Sequence, residues 1–352
     1  MIIPAANKLD PFQILAFSQD NEKVAIGGRS KNNESMTIVF NIKTHDELFE
    51  FVGEERGELP FFFGTRCISF SPNGKWIAAG DSYRNAKIYN LETKSLHLTL
   101  EVNDSIKKKC NRPGYGYVTC LTYSTNSEKL FTGTDIGEIK VWNNETGHLE
   151  HVIERSGCIK NIKYCSNSNS IISSSTVEII IFDKEKYIVQ DRIVMGLYHA
   201  TVLFSPDENK IAIHDFAFQD RISIYDIDGG NKFIKTKTIK HNFLYDIIYF
   251  DTEKVVVLTK CRNFLEAISL ETEIVLCTLE ITGTHLNSFS PNFRDRYFHD
   301  KNKQLIKTAN SMFTTLNWKN RKIVLNIRFY SKSKIKDAFG VWSIMTNAAL
   351  FI

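Results

Sequence analysis

The chain lacks a membrane-length apolar run, any close pair of cysteines and any catalytic signature, and each absence removes a class of answer. No stretch approaches the roughly 20 apolar residues that a bilayer crossing needs. The opening MIIPAANKLD has neither the basic region nor the long apolar core of a secretory leader. The seven cysteines (Cys67, Cys110, Cys120, Cys158, Cys165, Cys261 and Cys277) are odd in number and never form C-x-x-C. That argues against a zinc knuckle and a disulfide framework, and points to a reducing, cytoplasmic setting. There is no G-x-S-x-G elbow, Walker loop or H-E-x-x-H. His148 and His151 are three apart at the start of an expected strand, where alternation puts them on opposite faces, so both are expected on the surface.

Acidic residues are also missing from one region. Lys301 to Lys336 holds ten Lys or Arg and no Asp or Glu, so a chain of net charge +4 carries about −6 elsewhere. The following Ala338 to Ile352 has no charge at all. It is short for a membrane span and contains Thr346 and Asn347, so a strand or helix docked on the fold is expected. Hydrophobic content of 43% and charged content of 24% are ordinary for a globular chain. The 25 Phe and 13 Tyr suit strands packed face to face.

What is present is a repeat. Phe17, Phe70, Tyr123, Tyr164, Phe204, Tyr249 and Phe289 each close an apolar strand and run into a polar turn, at spacings of 53, 53, 41, 40, 45 and 40 residues. A period near 40 to 45 marks a repeat architecture and overrides the two-domain prior set by 352 residues. The second unit shows the grammar. Strands are expected over Cys67 to Ser71, Trp76 to Gly80, Ala86 to Leu91 and Leu96 to Val102, with the second buried on both faces. The third unit repeats this with Val118 to Ser124, Leu130 to Gly133 and Ile139 to Asn143. Tight turns between short antiparallel strands make a small twisted sheet.

The phrases FSPNGKWIAAG, LFTGTDIGEIKVWNNETG and FSPDENKIAIHD resemble WD40 repeats, in which four strands form one blade of a β-propeller. The family's Trp-Asp pair is represented by Phe40-Asn41, Tyr89-Asn90, Trp142-Asn143, Phe182-Asp183 and Tyr225-Asp226. In the sixth unit Ser269-Leu270 stands there, and in the seventh Leu316-Asn317 lies farther from its anchor. The family's Gly-His dipeptide is missing; its His would fall near Gly114 and Arg155. The buried Asp-His-Ser/Thr-Trp network of the family is therefore not expected to form, although Asp135 and Trp142 match two of its members.

The resemblance implies an all-β, seven-bladed β-propeller of four-stranded antiparallel blades over residues 1–337, followed by the apolar segment 338–352. Eight blades remain an alternative count. Met1 to Pro4 and Ile323 to Phe329 are the candidates to complete the last blade.

Function is expected in the loops. In such blades the connections between second and third strands share a face with those between blades. Two neighbouring inter-blade connections are enlarged, Gly53 to Thr65 and Asn103 to Tyr117, beside the loop Asp81 to Arg84. Long loops on a rigid scaffold concentrate binding. The candidate partner-binding residues are Phe61, Asp81, Tyr83, Arg84, Lys107, Lys108, Lys109, Arg112, Tyr115, Tyr117 and Asp135. Phe61, Phe62 and Phe63 read equally as the start of a buried strand, and the lysines as a solvated loop.

The leading expectation is a non-catalytic protein-protein interaction scaffold, monomeric by itself, with no cofactor or metal. The alternative is RNA or an anionic lipid surface held by the basic segment, through Trp318, Arg321, Arg328, Lys332, Lys334 and Lys336. Against it, Lys322 to Tyr330 also reads as an ordinary strand, and no Phe-Arg-Arg-Gly run of lipid-binding propellers occurs. A lesser alternative is an enzyme with a site in the central channel. Asp81, Asp135, Asp215 and Asp220 lie on loops suited to one, but two carboxylates on one loop do not make a metal site.

Overall fold

In the computed structural model the described residues form strands and turns, with no helix among them. The structure describes residues 8–30, 32, 34–44, 46–53, 64–82, 84–102, 116–166, 170–195, 200–205, 207–215, 220–229, 231–241, 244–250, 254–259 and 264–280, and the strands at 297–299, 305–307, 316–317, 322–330 and 335–343.

Six four-stranded antiparallel sheets follow one another along the chain. The first holds β1 (Leu9–Phe17), β2 (Lys23–Ser30), β3 (Ser35–Asn41) and β4 (Glu47–Val52). The second holds β5 (Thr65–Phe70), β6 (Trp76–Asp81), β7 (Asn85–Asn90) and β8 (Ser95–Glu101). The third holds β9 (Val118–Tyr123), β10 (Lys129–Thr134), β11 (Glu138–Asn143) and β12 (Leu149–Glu154). The fourth holds β13 (Ile159–Tyr164), β14 (Ser170–Ser175), β15 (Glu178–Asp183) and β16 (Val189–Val194). The fifth holds β17 (Ala200–Phe204), β18 (Lys210–Asp215), β19 (Arg221–Ile227) and β20 (Phe233–Lys240). The sixth holds β21 (Leu244–Phe250), β22 (Lys254–Thr259), β23 (Phe264–Ser269) and β24 (Val275–Glu280).

Beyond them β25 (Tyr297–His299) pairs with β26 (Leu305–Lys307), and β27 (Leu316–Asn317), β28 (Lys322–Tyr330) and β29 (Ile335–Ser343) form a three-stranded sheet. The strand expected over Lys322 to Tyr330 is β28. The first residues of the uncharged segment, Ala338 to Ser343, lie in β29, paired with β28 along its length. Residues 1–7 and the seventh anchor, Phe289, lie outside the described residues.

Four of the six sheets share the same turn chemistry after the first strand. The residue after the first strand is Ser18, Ser71, Ser124 or Ser205 in four sheets. Its hydroxyl accepts the N–H five residues on, at 2.9 Å from Lys23, Trp76, Lys129 and Lys210. It also donates to Asp20, Asn73, Asn126 or Asp207 two residues on. The residue three after each serine sits at positive φ: Asn21, Gly74, Ser127 and Glu208. A side chain that satisfies two turn groups at once is why Ser-x-Asn/Asp is the local signal.

The third strand ends on the second device. Asn41, Asn90, Asn143 and Asp183 each accept two backbone N–H groups, from the residues two and three further on. That explains Asn or Asp as the second member of the Trp-Asp-like pair. The first member is the end of a row across the sheet: Phe17–Val24–Phe40, Phe70–Ile77–Tyr89, Tyr123–Leu130–Trp142, Tyr164–Ile171–Phe182 and Phe204–Ile211–Tyr225. Such cross-strand neighbours are the unit of sheet stabilisation.

In the sixth sheet the row is Phe250–Val255–Ile268, which corrects two expectations. A register shift between Ile247 and Tyr249 inserts an extra residue, so Phe250 rather than Tyr249 occupies the anchor position. The pair position is then Ile268-Ser269 instead of Ser269-Leu270, and Ser269 Oγ accepts the Thr272 N–H at 3.2 Å as the asparagines do elsewhere.

The chain divides into two compact units, one over Asn7–His199 and Ile227–Ile234, the other over Ala200–Asp226 and Lys235 onward. In the first unit the first strands of successive sheets pack together, β1 on β5, β5 on β9 and β9 on β13. A core lies between each two neighbours. Ala79, Ile77 and Tyr89 of the second sheet meet Ala25, Val39 and Phe51 of the first. The opposite face of the second sheet, with Trp76, Ala78 and Ile88, meets Val118, Tyr123 and Leu130 of the third. Phe131, Ile139 and Val141 then meet Ile162, Ile171 and Phe182 of the fourth. Burial of both faces makes β6 buried at all six positions, as its apolar and small residues from Trp76 to Gly80 required. In the second unit Ala212, Ile222 and Ile224 pack with Ile247, Val255 and Ile268.

Close approach sets residue size. A Cβ on Gly80 would lie 2.5 Å from Cys67 Sγ, and one on Gly133 would lie 2.5 Å from Cys120 Sγ. Burial pushes both thiols up, Cys120 to about 12, which keeps them protonated packing groups.

Candidate interaction surface

First strands begin, and second strands end, at the same end of each sheet. In the second and third sheets that end carries Arg66, Asp81, Ser82, Arg84, Tyr117 and Asp135. Arg66 leaves β5 beside the second-strand end, and its Nε donates to Ser82 Oγ at 2.8 Å. Its guanidinium carbon sits 3.9 Å from the centre of the Tyr117 ring, a cation–π contact that ties the second sheet to the entry of β9. Ser82 N–H in turn donates to Gly64 O at 3.3 Å. The side chains of Arg66, Ser82, Arg84, Tyr117 and Asp135 are half-buried, so this end presents a braced surface.

The carboxylates have different tasks. Asp81 is 5% exposed and accepts the Asn85 N–H at 3.0 Å, closing the connection from β6 to β7. Asp135 accepts the Gly116 N–H at 2.7 Å, fastening the end of the second enlarged connection to the β10–β11 turn. Burial raises the Asp135 carboxyl above the ordinary carboxylate range, opposed by the Gly116 N–H and the charges of Arg66 and Arg84. The turn itself needs Gly137, at φ +92°, where a Cβ would meet Arg155 O at 2.2 Å.

The buried network bears on the missing His. Trp142 Nε1 donates to Thr132 Oγ1 at 3.0 Å, so the Trp–Thr link is made although the four-membered network, which needs a His, is not. Asp135 takes a backbone N–H in place of an imidazole because Gly116 approaches it directly.

Of the residues expected to bind a partner, Asp81, Arg84, Tyr117 and Asp135 therefore lie at one end of two neighbouring sheets. Phe61, Tyr83, Lys107, Lys108, Lys109, Arg112 and Tyr115 lie outside the described residues, as do Trp318, Arg321, Lys332 and Lys334. Arg328 falls in β28 and Lys336 in β29. His148 and His151 are both exposed, and His151 stacks on Tyr187 at 4.7 Å. Asp220 is exposed and pairs with Arg221 at 3.1 Å. Among the described residues no three His, Cys, Asp or Glu side chains converge as a metal site would require. Sequence reasoning missed Arg66. Its only signal was a charged residue at the start of an apolar strand, directly after an enlarged connection.

Repeated four-stranded antiparallel sheets with both faces buried define a blade-built repeat protein. Residues 63–90, which span β5 to β7, match the family model of the WD domain, G-beta repeat. The chain carries a WD40 repeat there and is WD40-like.

Proposed function

We propose that the chain is a seven-bladed WD40-like propeller that serves as a non-catalytic scaffold, and that it captures a protein partner at the strand-entry end of its second and third sheets. WD40 repeat domains are generally protein-interaction scaffolds. The observation that carries the location is the Arg66–Tyr117 contact beside Asp135. It braces half-exposed arginine, tyrosine and carboxylate groups where both enlarged connections rejoin the fold. Arginine and tyrosine are the side chains enriched where interfaces draw their affinity. The unbridged thiols of Cys67, Cys120 and Cys158 support a cytoplasmic setting.

The test is affinity capture with the full chain as bait at low and high salt, identifying recovered protein and RNA. A defined protein held at high salt, and weakened about tenfold or more by Arg84→Ala or by deleting Lys107 to Arg112, is the expected result. Recovery dominated by RNA and lost at high salt would transfer the site to the basic segment from Lys301 to Lys336.

A further inference from the structure

The opposite end of the same two sheets holds a cavity of about 380 Å³, at the small end of the range for ligand pockets. It lies between the β5–β6 turn, the β9–β10 turn and the β11–β12 turn, with Trp76 in its wall. Its lining carries two ammonium groups and three carboxylates. Both cations are engaged: Lys129 lies 3.0 Å from the Glu150 carboxylate, and Lys75 lies 4.7 Å from the centre of the Trp76 ring. Carboxylates outnumber ammonium groups three to two. Asn144 lines the cavity at 2% exposure, and its Oδ1 has no hydrogen-bond partner. Glu145 stands exposed at the rim, and its carboxylate makes no ion pair among the described residues. Among the described residues the Glu128 carboxylate receives only the Asn126 amide, at 2.6 Å.

A buried carbonyl without a donor is costly, and three carboxylates against two engaged ammonium groups favour a further cationic donor. Several acceptors spread around one small space suit a planar group with five N–H donors better than a compact ammonium. We infer that this cavity accepts the guanidinium of an arginine side chain from a partner polypeptide. The site is separate from the strand-entry surface and stands whether or not that surface binds a protein.

The experiment titrates the full chain with acetyl-arginine amide, followed by the tryptophan indole N–H signals in NMR. Three further ligands run in parallel: acetyl-citrulline amide, acetyl-lysine amide and free arginine. Acetyl-arginine amide is expected to saturate and to move one indole signal, with the uncharged citrulline compound at least about tenfold weaker. Glu145→Gln, an exposed change that leaves packing intact, is expected to weaken binding about tenfold, and Asn144→Leu to do at least as much. Equal binding of citrulline or lysine compounds, no saturation, or an unaltered Glu145→Gln would overturn the guanidinium assignment. Tighter binding of free arginine would overturn a polypeptide as its source.

Discussion

The two ends of the second and third sheets are built by different rules. At the turn end a serine hydroxyl and an asparagine carbonyl satisfy backbone groups two to five residues away, and the same bonds recur from sheet to sheet. At the entry end backbone bonds recur, as in Ser82 N–H to Gly64 O and Asp135 N–H to Tyr117 O, but the side-chain contacts of Arg66 and Asp135 do not. Arg66 reaches Tyr117 in the next sheet, and Asp135 holds Gly116. The turn end carries the regularity of the repeat, whereas the entry end carries features particular to this chain. That asymmetry is what a binding surface on a repeated scaffold calls for.

Two glycines put the contrast to its strongest test. Gly137→Ala at the entry end should cost about 2–3 kcal/mol, since a left-handed backbone and a carbonyl at 2.2 Å both oppose a Cβ. Gly74→Ala at the turn end, with φ +71° and no atom within 4 Å, should cost about 1 kcal/mol. Urea denaturation of both variants measures the difference, and equal losses would erase the distinction.

Serines come next. Ser124→Ala removes a hydroxyl that is 1% exposed and leaves the Lys129 N–H without its side-chain acceptor, for a loss of about 1–2 kcal/mol. Ser82→Ala should change stability by less than about 0.5 kcal/mol while freeing Arg66 to move, so its effect belongs in partner capture rather than in melting. A larger loss of stability at Ser82 than at Ser124 would invert the comparison.

Trp142→Phe isolates one bond. Thr132, fully buried, would lose the indole donor at a cost of about 1 kcal/mol, read as a lower midpoint in the same urea series.

The smallest effect is in pH. The Asp135 carboxyl is raised in the folded protein, so the folded state binds its proton more tightly than the unfolded chain does. Its contribution to stability is full below the unfolded carboxylate range and falls as pH rises through the raised value. Asp135→Asn should remove that slope while keeping an oxygen for the Gly116 N–H. Stability measured across the mildly acidic range for both proteins checks it, and parallel curves would show that Asp135 does not titrate differently on folding.

Much of the fold could be read along the chain because its signals are local. The Ser-x-Asn/Asp turns, the Asn or Asp closing the third strand in the first four sheets and the apolar run of β6 act through neighbours in sequence. The sixth sheet shows where this stops. One bulged residue near Tyr249 moved the anchor to Phe250 and the pair to Ile268-Ser269, because register is fixed by pairing between strands and counting residues cannot reveal an insertion. The surface was half legible. Enlarged connections pointed to Asp81, Arg84, Tyr117 and Asp135, but Arg66 looked like any charged residue on a strand.

Chain order alone established the repeat, its turns and the alternation of buried strands, since these rest on hydrogen bonds and patterning within a few residues. Stacking of the sheets decided the rest. Arg66 and Tyr117 are far apart in sequence yet in contact, Gly80 and Gly133 are shaped by neighbouring thiols, and Asn144 is sealed beside a cavity formed by three separate turns. Such contacts between distant segments depend on which faces the packed sheets bring together, and no local pattern encodes that.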